Sequence, residues 1–194
     1  MKTNKILVGI AALSMIFSTS MVVHAEEIDN HESTSDIGFT TPTEGALTLV
    51  NVADFDFGSN PISAKDEVYT NKTETMTTVQ DIRGTETGWT VQVAQNGQFK
   101  ADKKELTSAQ ITLKTPTISD QSTGSATAKT EIILNTDGSS ATILEAAAGL
   151  GNGVTIENFA KDAATLSVPG ETVKVAKQYE TSLTWTLLDQ PANN

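Results

Sequence analysis

Few side chains in this sequence are equipped for covalent or acid–base chemistry. The histidines are His24 and His31, the lone arginine is Arg83, and there is no cysteine. Ser-His-acid catalysis needs an imidazole held within hydrogen-bond reach of its nucleophile. His31 sits in an acidic, Ser/Thr-rich stretch that cannot order itself around a buried core. Zinc sites of the common His/Cys type are ruled out on composition. Arg83 alone supplies at most one arm of a clamp for phosphate or carboxylate. No Gly-x-Gly-x-x-Gly or P-loop pattern occurs. Asp54 and Asp56 form a close carboxylate pair of the kind glycosidases use. They would share one strand face beside Phe55 and Phe57, with no pattern of a cleft around them. Asp54-Phe55-Asp56-Phe57-Gly58 also resembles a fragment of a calcium loop, but the further oxygen ligands and the closing Glu do not follow. A turn with solvated acids is the expectation. The chain is therefore expected not to be an enzyme, with no catalytic residue, metal or cofactor.

What remains is aromatic. Trp89 and Trp185 are the only tryptophans, and each sits in a similar frame: Gly88-Trp89-Thr90-Val91 and Thr184-Trp185-Thr186-Leu187. Around the second, Tyr179, Leu183, Trp185 and Leu187 alternate with polar residues, with Thr181 among them. Period-2 alternation puts these large side chains on one face of a strand, whereas a helix would scatter them. Two such strands can meet across one sheet or one core. Amphipathic rings suit sugar faces, with Thr and Asn supplying hydrogen bonds. Tryptophan is also highly buried on average, and a core role supporting the binding surface is the preferred reading.

The elements that must position these residues read as strands. Thr, a β-branched strand former, occupies 30 of 194 positions. Strand-like runs span Leu47–Ala53, Val68–Ile82, Gly88–Gln95, Ile111–Lys114, Thr130–Asn135, Ala141–Leu144 and Thr165–Val168, before the Trp185 strand. Asn96-Gly97 and Thr136-Asp137-Gly138-Ser139 read as hairpin turns, Pro169-Gly170 as a turn, and Glu145–Ala148 as one helical turn closed by Gly149. The expected fold is all-β: a single β-sandwich or barrel-like domain of about eight to ten strands, without clear internal repeats.

The N-terminus reads as an export signal over residues 1–25. Lys2 and Lys5 precede an apolar run from Ile6 to Phe17. Val23-His24-Ala25 is a small-x-small site, with cleavage expected between Ala25 and Glu26. Twelve apolar residues fall short of the roughly 20 needed to span a bilayer. Residues 26–46 form an acidic, disordered lead with six acids and no Lys or Arg. Residues 47–194 form the β domain. No membrane span, lipid-anchor cysteine or sorting-type tail is expected after cleavage. The whole chain carries a net charge of −11, and removing Lys2 and Lys5 makes it −13. That balance argues against nucleic acid and anionic lipid as partners. Lys100, Lys103 and Lys104 are the densest basic cluster, expected to be a solvated hairpin rim. Without cysteine, stability in an oxidising compartment must come from an ordinary core. The Asn71-Lys72-Thr73 sequon is expected to be idle.

The layout resembles a WxL-domain surface protein of low-GC Gram-positive bacteria. The distal motif is matched by Leu183-Thr184-Trp185-Thr186-Leu187 with Tyr179 upstream. The proximal motif is matched at Gly88 and Trp89, with Val91 in place of Leu, and Phe57-Gly58 resembles the family's early Phe-Gly turn. The resemblance implies a secreted cell-surface protein held non-covalently on the cell wall through peptidoglycan. Trp89, Val91, Tyr179, Leu183, Trp185 and Leu187 would be the wall-binding motif or the core supporting it. Complexes with other surface proteins of the same system, and a host ligand, are further partners it leaves open. The alternative is a structural or interaction subunit held at the surface by a membrane-anchored or host partner.

Overall fold

A computed structural model describes residue 31 and residues 33–191. The expected signal peptide and its cleavage site at Ala25 and Glu26 lie outside the described residues. The chain divides into two units, residues 1–38 and 39–194. In the first, His31 and residues 33–38 are exposed coil. Among the described residues, the strands belong to the second.

Fourteen strands and no helix form among the described residues: β1 (Leu47–Asn51), β2 (Glu67–Thr70), β3 (Thr75–Asp81), β4 (Trp89–Gln95), β5 (Lys100–Ala101), β6 (Lys104–Glu105), β7 (Gln110–Leu113), β8 (Thr117–Ile118), β9 (Thr127–Ala128), β10 (Ile132–Leu134), β11 (Ala141–Ala146), β12 (Gly153–Phe159), β13 (Ala164–Val168) and β14 (Leu183–Leu188). They make three four-stranded antiparallel sheets, ordered β1-β3-β12-β8, β10-β7-β13-β2 and β14-β4-β11-β9, plus the β5-β6 hairpin.

All three four-stranded sheets feed one core. It joins Val79 and Phe159, Ile111, Leu113, Leu134 and Leu166, and Trp89, Val91, Val93 and Leu144. Strand β4 carries both neighbours of its sheet and is buried on nearly every residue. The inward row therefore alternates Trp89, Val91, Val93 and Gln95. Phe55 packs edge-on against Phe159 with ring centres 5.2 Å apart.

The all-β expectation holds, but the strand number is larger than the eight to ten expected. Strand β12 escaped notice because its alternation, Val154-Thr155-Ile156-Glu157-Asn158-Phe159, places Thr155 and Glu157 on the buried face with Phe159. The other additions, β5, β6, β8 and β9, are two residues each. The run Val68–Ile82 splits into β2 and β3, in different sheets. The break is Asn71, which is fully buried. Its amide donates to the carbonyls of Thr73 and Ala160, and its oxygen accepts from the Ala164 N–H. Two of these bonds reach Ala160, between β12 and β13, and Ala164, where β13 begins. The Asn71 N–H also donates to the Ala164 carbonyl at 3.0 Å, so the break is tied to a distant segment.

Both expected hairpin turns join strands that do not pair. After Asn96-Gly97 the chain leaves β4, whose partners are β11 and β14. Thr136–Ser139 carries the chain from β10 in one sheet to β11 in another. Asp137 Oδ1 accepts from the Ser139 N–H there, so local turn chemistry is satisfied without a hairpin. The expected helical turn at Glu145–Ala148 is also corrected. Glu145 and Ala146 complete β11 opposite Thr90 and Trp89, because an edge offering ladder bonds outweighs the helix preference of three alanines.

Candidate functional site

The two tryptophan strands lie side by side in the third sheet. In the β14–β4 register, Trp185 faces Val93, Leu187 faces Val91 and Leu183 faces Gln95. On the other flank, Ala146 of β11 faces Trp89 and Leu144 faces Val91. Side chains directly opposite in an antiparallel pair share a face. Leu183, Trp185 and Leu187 therefore continue the inward row of Trp89, Val91 and Val93, and all three pack on the core.

The two rings differ in exposure. Trp89 is fully buried, while Trp185 is half-buried on the outermost strand. Trp89 Nε1 donates to the Gly151 carbonyl at 3.2 Å, which satisfies its one polar atom. The fit around that ring is tight. A Cβ on Gly151 would lie 2.5 Å from Trp89 Nε1, and one on Gly88 would lie 2.4 Å from the Ala146 carbonyl oxygen. Both glycines also have positive φ, 75° and 86° for Gly88 and Gly151, a region that disfavours a side chain. Tyr179 lies before β14 rather than in it. It packs half-buried on the core, and its hydroxyl accepts from the Val175 N–H at 3.0 Å.

Sequence reasoning weighed Arg83 only as one arm of a ligand clamp; in the structure it ties these strands together. Arg83 binds the buried carboxylate of Asp81 through Nε and Nη2, at 3.0 and 2.8 Å. Nη2 also donates to the Gly88 carbonyl at 2.7 Å, and Nη1 reaches the Asp189 carbonyl at 3.4 Å. The guanidinium thus touches the residue before Trp89 and the residue after β14. Thr90 Oγ1 adds a bond to the Gln190 carbonyl at 2.9 Å. Burial opposes the charge on Asp81, yet the Arg83 hydrogen bonds hold its carboxyl below the usual range. The signal available in sequence was the presence of a single arginine six residues before Trp89.

The remaining candidates are solvated or structural. Asp54 and Asp56 are exposed; Asp56 Oδ1 accepts from the Gly58 N–H at 2.7 Å and shapes the Phe57-Gly58 turn. Phe57 enters the core edge-on to Phe99. Lys100, Lys103 and Lys104 are exposed on the β5-β6 hairpin, and Lys100 pairs with Glu105.

A cleft of about 580 Å³ lies on the outward face of the first sheet, lined among others by Glu74, Met76, Thr117, Ser119, Gln121 and Asn158. Hydroxyl, amide and carboxylate groups surround a short apolar floor there, a mixture suited to a polyhydroxylated chain. Among the described residues, no helix is long and apolar enough to cross a membrane.

No curated protein and no solved structure matches this chain. The family model for the WxL domain, described as surface cell wall-binding, matches residues 26–191. With the match covering well over half the sequence and both tryptophan strands paired within it, the chain belongs to the WxL family of cell-wall-binding surface proteins.

Proposed function

We propose that this protein is a secreted, non-catalytic surface protein that attaches non-covalently to the wall by binding peptidoglycan. The observation that carries this reading is the wall-binding family match over the whole β domain. In this reading the tryptophans hold the domain together, and other groups touch the glycan. The full burial of Trp89 supports that division, since a ring with no exposed face cannot stack on sugar. The outward cleft beside Met76, Gln121 and Asn158 offers the chemistry a glycan needs.

The test is co-sedimentation of the purified chain with protein-free sacculi, before and after chemical removal of teichoic acids. Retained binding on the stripped sacculi supports peptidoglycan as the ligand. Loss of binding on stripping assigns the ligand to the removed polymer. Sedimentation only after another surface protein is added favours the interaction-subunit alternative.

A further inference from the structure

Strand β14 ends its sheet, and no described strand pairs with its outer side. Natural sheets usually blunt such edges with charge, proline, bulges or brevity. The other edge strands follow this rule. Strands β2, β8, β9 and β10 have four residues or fewer. The pairing of β1 slips between Leu49 and Asn51. Strand β14 has six residues, an unbroken register, no charged residue and no proline.

Its backbone direction follows from one hydrogen bond. The Asn96 N–H donates to the Ser182 carbonyl at 2.9 Å. Antiparallel pairs alternate between bonded and non-bonded positions, so Thr184 and Thr186 turn their backbone groups toward β4. The N–H and C=O groups of Leu183, Trp185 and Leu187 then point to the open side.

Leu183-Thr184-Trp185-Thr186-Leu187 reads the same in both directions. An antiparallel copy centred on Trp185 places Trp185 opposite Trp185, Leu183 opposite Leu187 and Thr184 opposite Thr186. Every outward backbone group of these three residues finds a partner, and the half-buried apolar row meets its own counterpart. No acid faces an acid, because Asp189 falls opposite Thr181 and Glu180 opposite Gln190.

We propose that β14 is a self-pairing edge, docking a second copy of this chain in antiparallel register about Trp185. One strand edge buries less than the roughly 1,200–2,000 Å² of a stable interface, so the pairing is weak in dilute solution and strengthens where copies are concentrated. If the wall-binding reading also holds, the dimer offers two binding domains and gains avidity. The pairing itself does not depend on that reading.

The test uses the absence of native cysteine. Thr184 and Thr186 are exposed, so Thr184→Cys and Thr186→Cys should both fold. In the proposed register, position 184 faces position 186 of the second copy as a non-bonded pair, about 4.5 Å between Cα atoms and within disulfide reach. Position 184 meets its own counterpart only diagonally, at about 7–8 Å. Under mild oxidation, an equal mixture of the two variants should give several-fold more disulfide-linked dimer than either variant alone, because only the 184–186 pair lies within disulfide reach. Absence of dimer in the mixture, or equal dimer in all three samples, overturns the proposal.

Discussion

The guanidinium of Arg83 donates to the Gly88 carbonyl at 2.7 Å while gripping the buried Asp81 carboxylate. One side chain thereby links β3 of the first sheet to the start of the Trp89 strand in the third.

Replacing Arg83 by Ala leaves the Asp81 carboxyl buried without its cation, either charged or forced to take up a proton, with only the backbone N–H of residue 83 still donating to it. Breaking a buried pair from one side costs about 3–5 kcal/mol. Arg83→Lys keeps the charge but cannot reproduce the fork, so it should recover less than half of that loss. Urea unfolding measures both. Wild-type stability in Arg83→Ala would show that the linkage does not support the fold.

Gly151 and Trp89 are fitted to each other. A methyl at Gly151 would contact Trp89 Nε1 at 2.5 Å and the Ala146 Cβ at 2.5 Å, and the φ of 86° adds backbone strain. Overpacking costs about 1–3 kcal/mol, and the strained φ adds about 1 kcal/mol or more. Gly151→Ala should therefore lower the melting midpoint by several degrees or more. The double variant Gly151→Ala with Trp89→Phe should lose less than the two single losses combined, because the smaller ring vacates the clash. Strict additivity in that cycle counts against the contact.

The tryptophan strands were legible because their alternation is strict: β4 lies within one residue of the expected Gly88–Gln95, whereas β14 ends within one residue of the expected Leu187 but starts at Leu183, four residues after Tyr179. Strand β12 was illegible for a physical reason: its inward face carries Thr155 and Glu157, which look solvent-facing in any hydropathy pattern. A change of chain direction was read correctly near both sites, as a bend at Gly97-Gln98 and as a turn at Thr136-Asp137. Their strands' partners were not, since local turn chemistry is blind to which distant edge a strand will join. Arg83 shows the same limit. Its value lies in the Gly88 and Asp189 carbonyls it reaches, and the second is 106 residues away in sequence.

Glu157 sets an unusual pH dependence. It is fully buried opposite Thr77, and neither carboxylate oxygen has a hydrogen-bond partner among the described residues. Burial pushes its pKa up to about 8, from 4.5. A raised acid keeps its proton in the folded chain while the unfolded chain has released it. Stability is thus highest below about pH 4.5 for this group and declines up to about pH 8, by on the order of 4–5 kcal/mol. Asp81 acts oppositely. Its carboxyl is held low, so its contribution exists above the ordinary carboxylate range and is lost as pH falls. Glu157→Gln should remove the alkaline decline, so its advantage over wild type grows between pH 5 and pH 8.5 in urea unfolding. A constant difference across that interval would exclude the assignment.

The charge balance predicts the salt response of wall binding. The chain carries −11, and the exposed lysine hairpin is partly neutralised by Glu105. Steering toward an anionic wall is weak or repulsive. Raising sodium chloride from about 50 to 500 mM shortens the Debye length several-fold and should leave binding to intact walls unchanged or stronger. A steep loss over that range, measured by sedimentation, would mean that the exposed lysines contact wall anions directly.

Trp89 and Trp185 should separate support from contact. Trp89 is closed to solvent and Trp185 is half-open, so acrylamide should quench Trp185 emission in Trp89→Phe far more than Trp89 emission in Trp185→Phe. Trp89→Ala removes a fully buried ring and should cost about 3–5 kcal/mol. Trp185→Ala removes a half-buried one and should cost less. In both cases bound protein on sacculi should fall in proportion to the folded fraction measured at the same temperature. A Trp185→Ala protein that melts like wild type yet no longer sediments with sacculi would place that ring in direct contact with the wall.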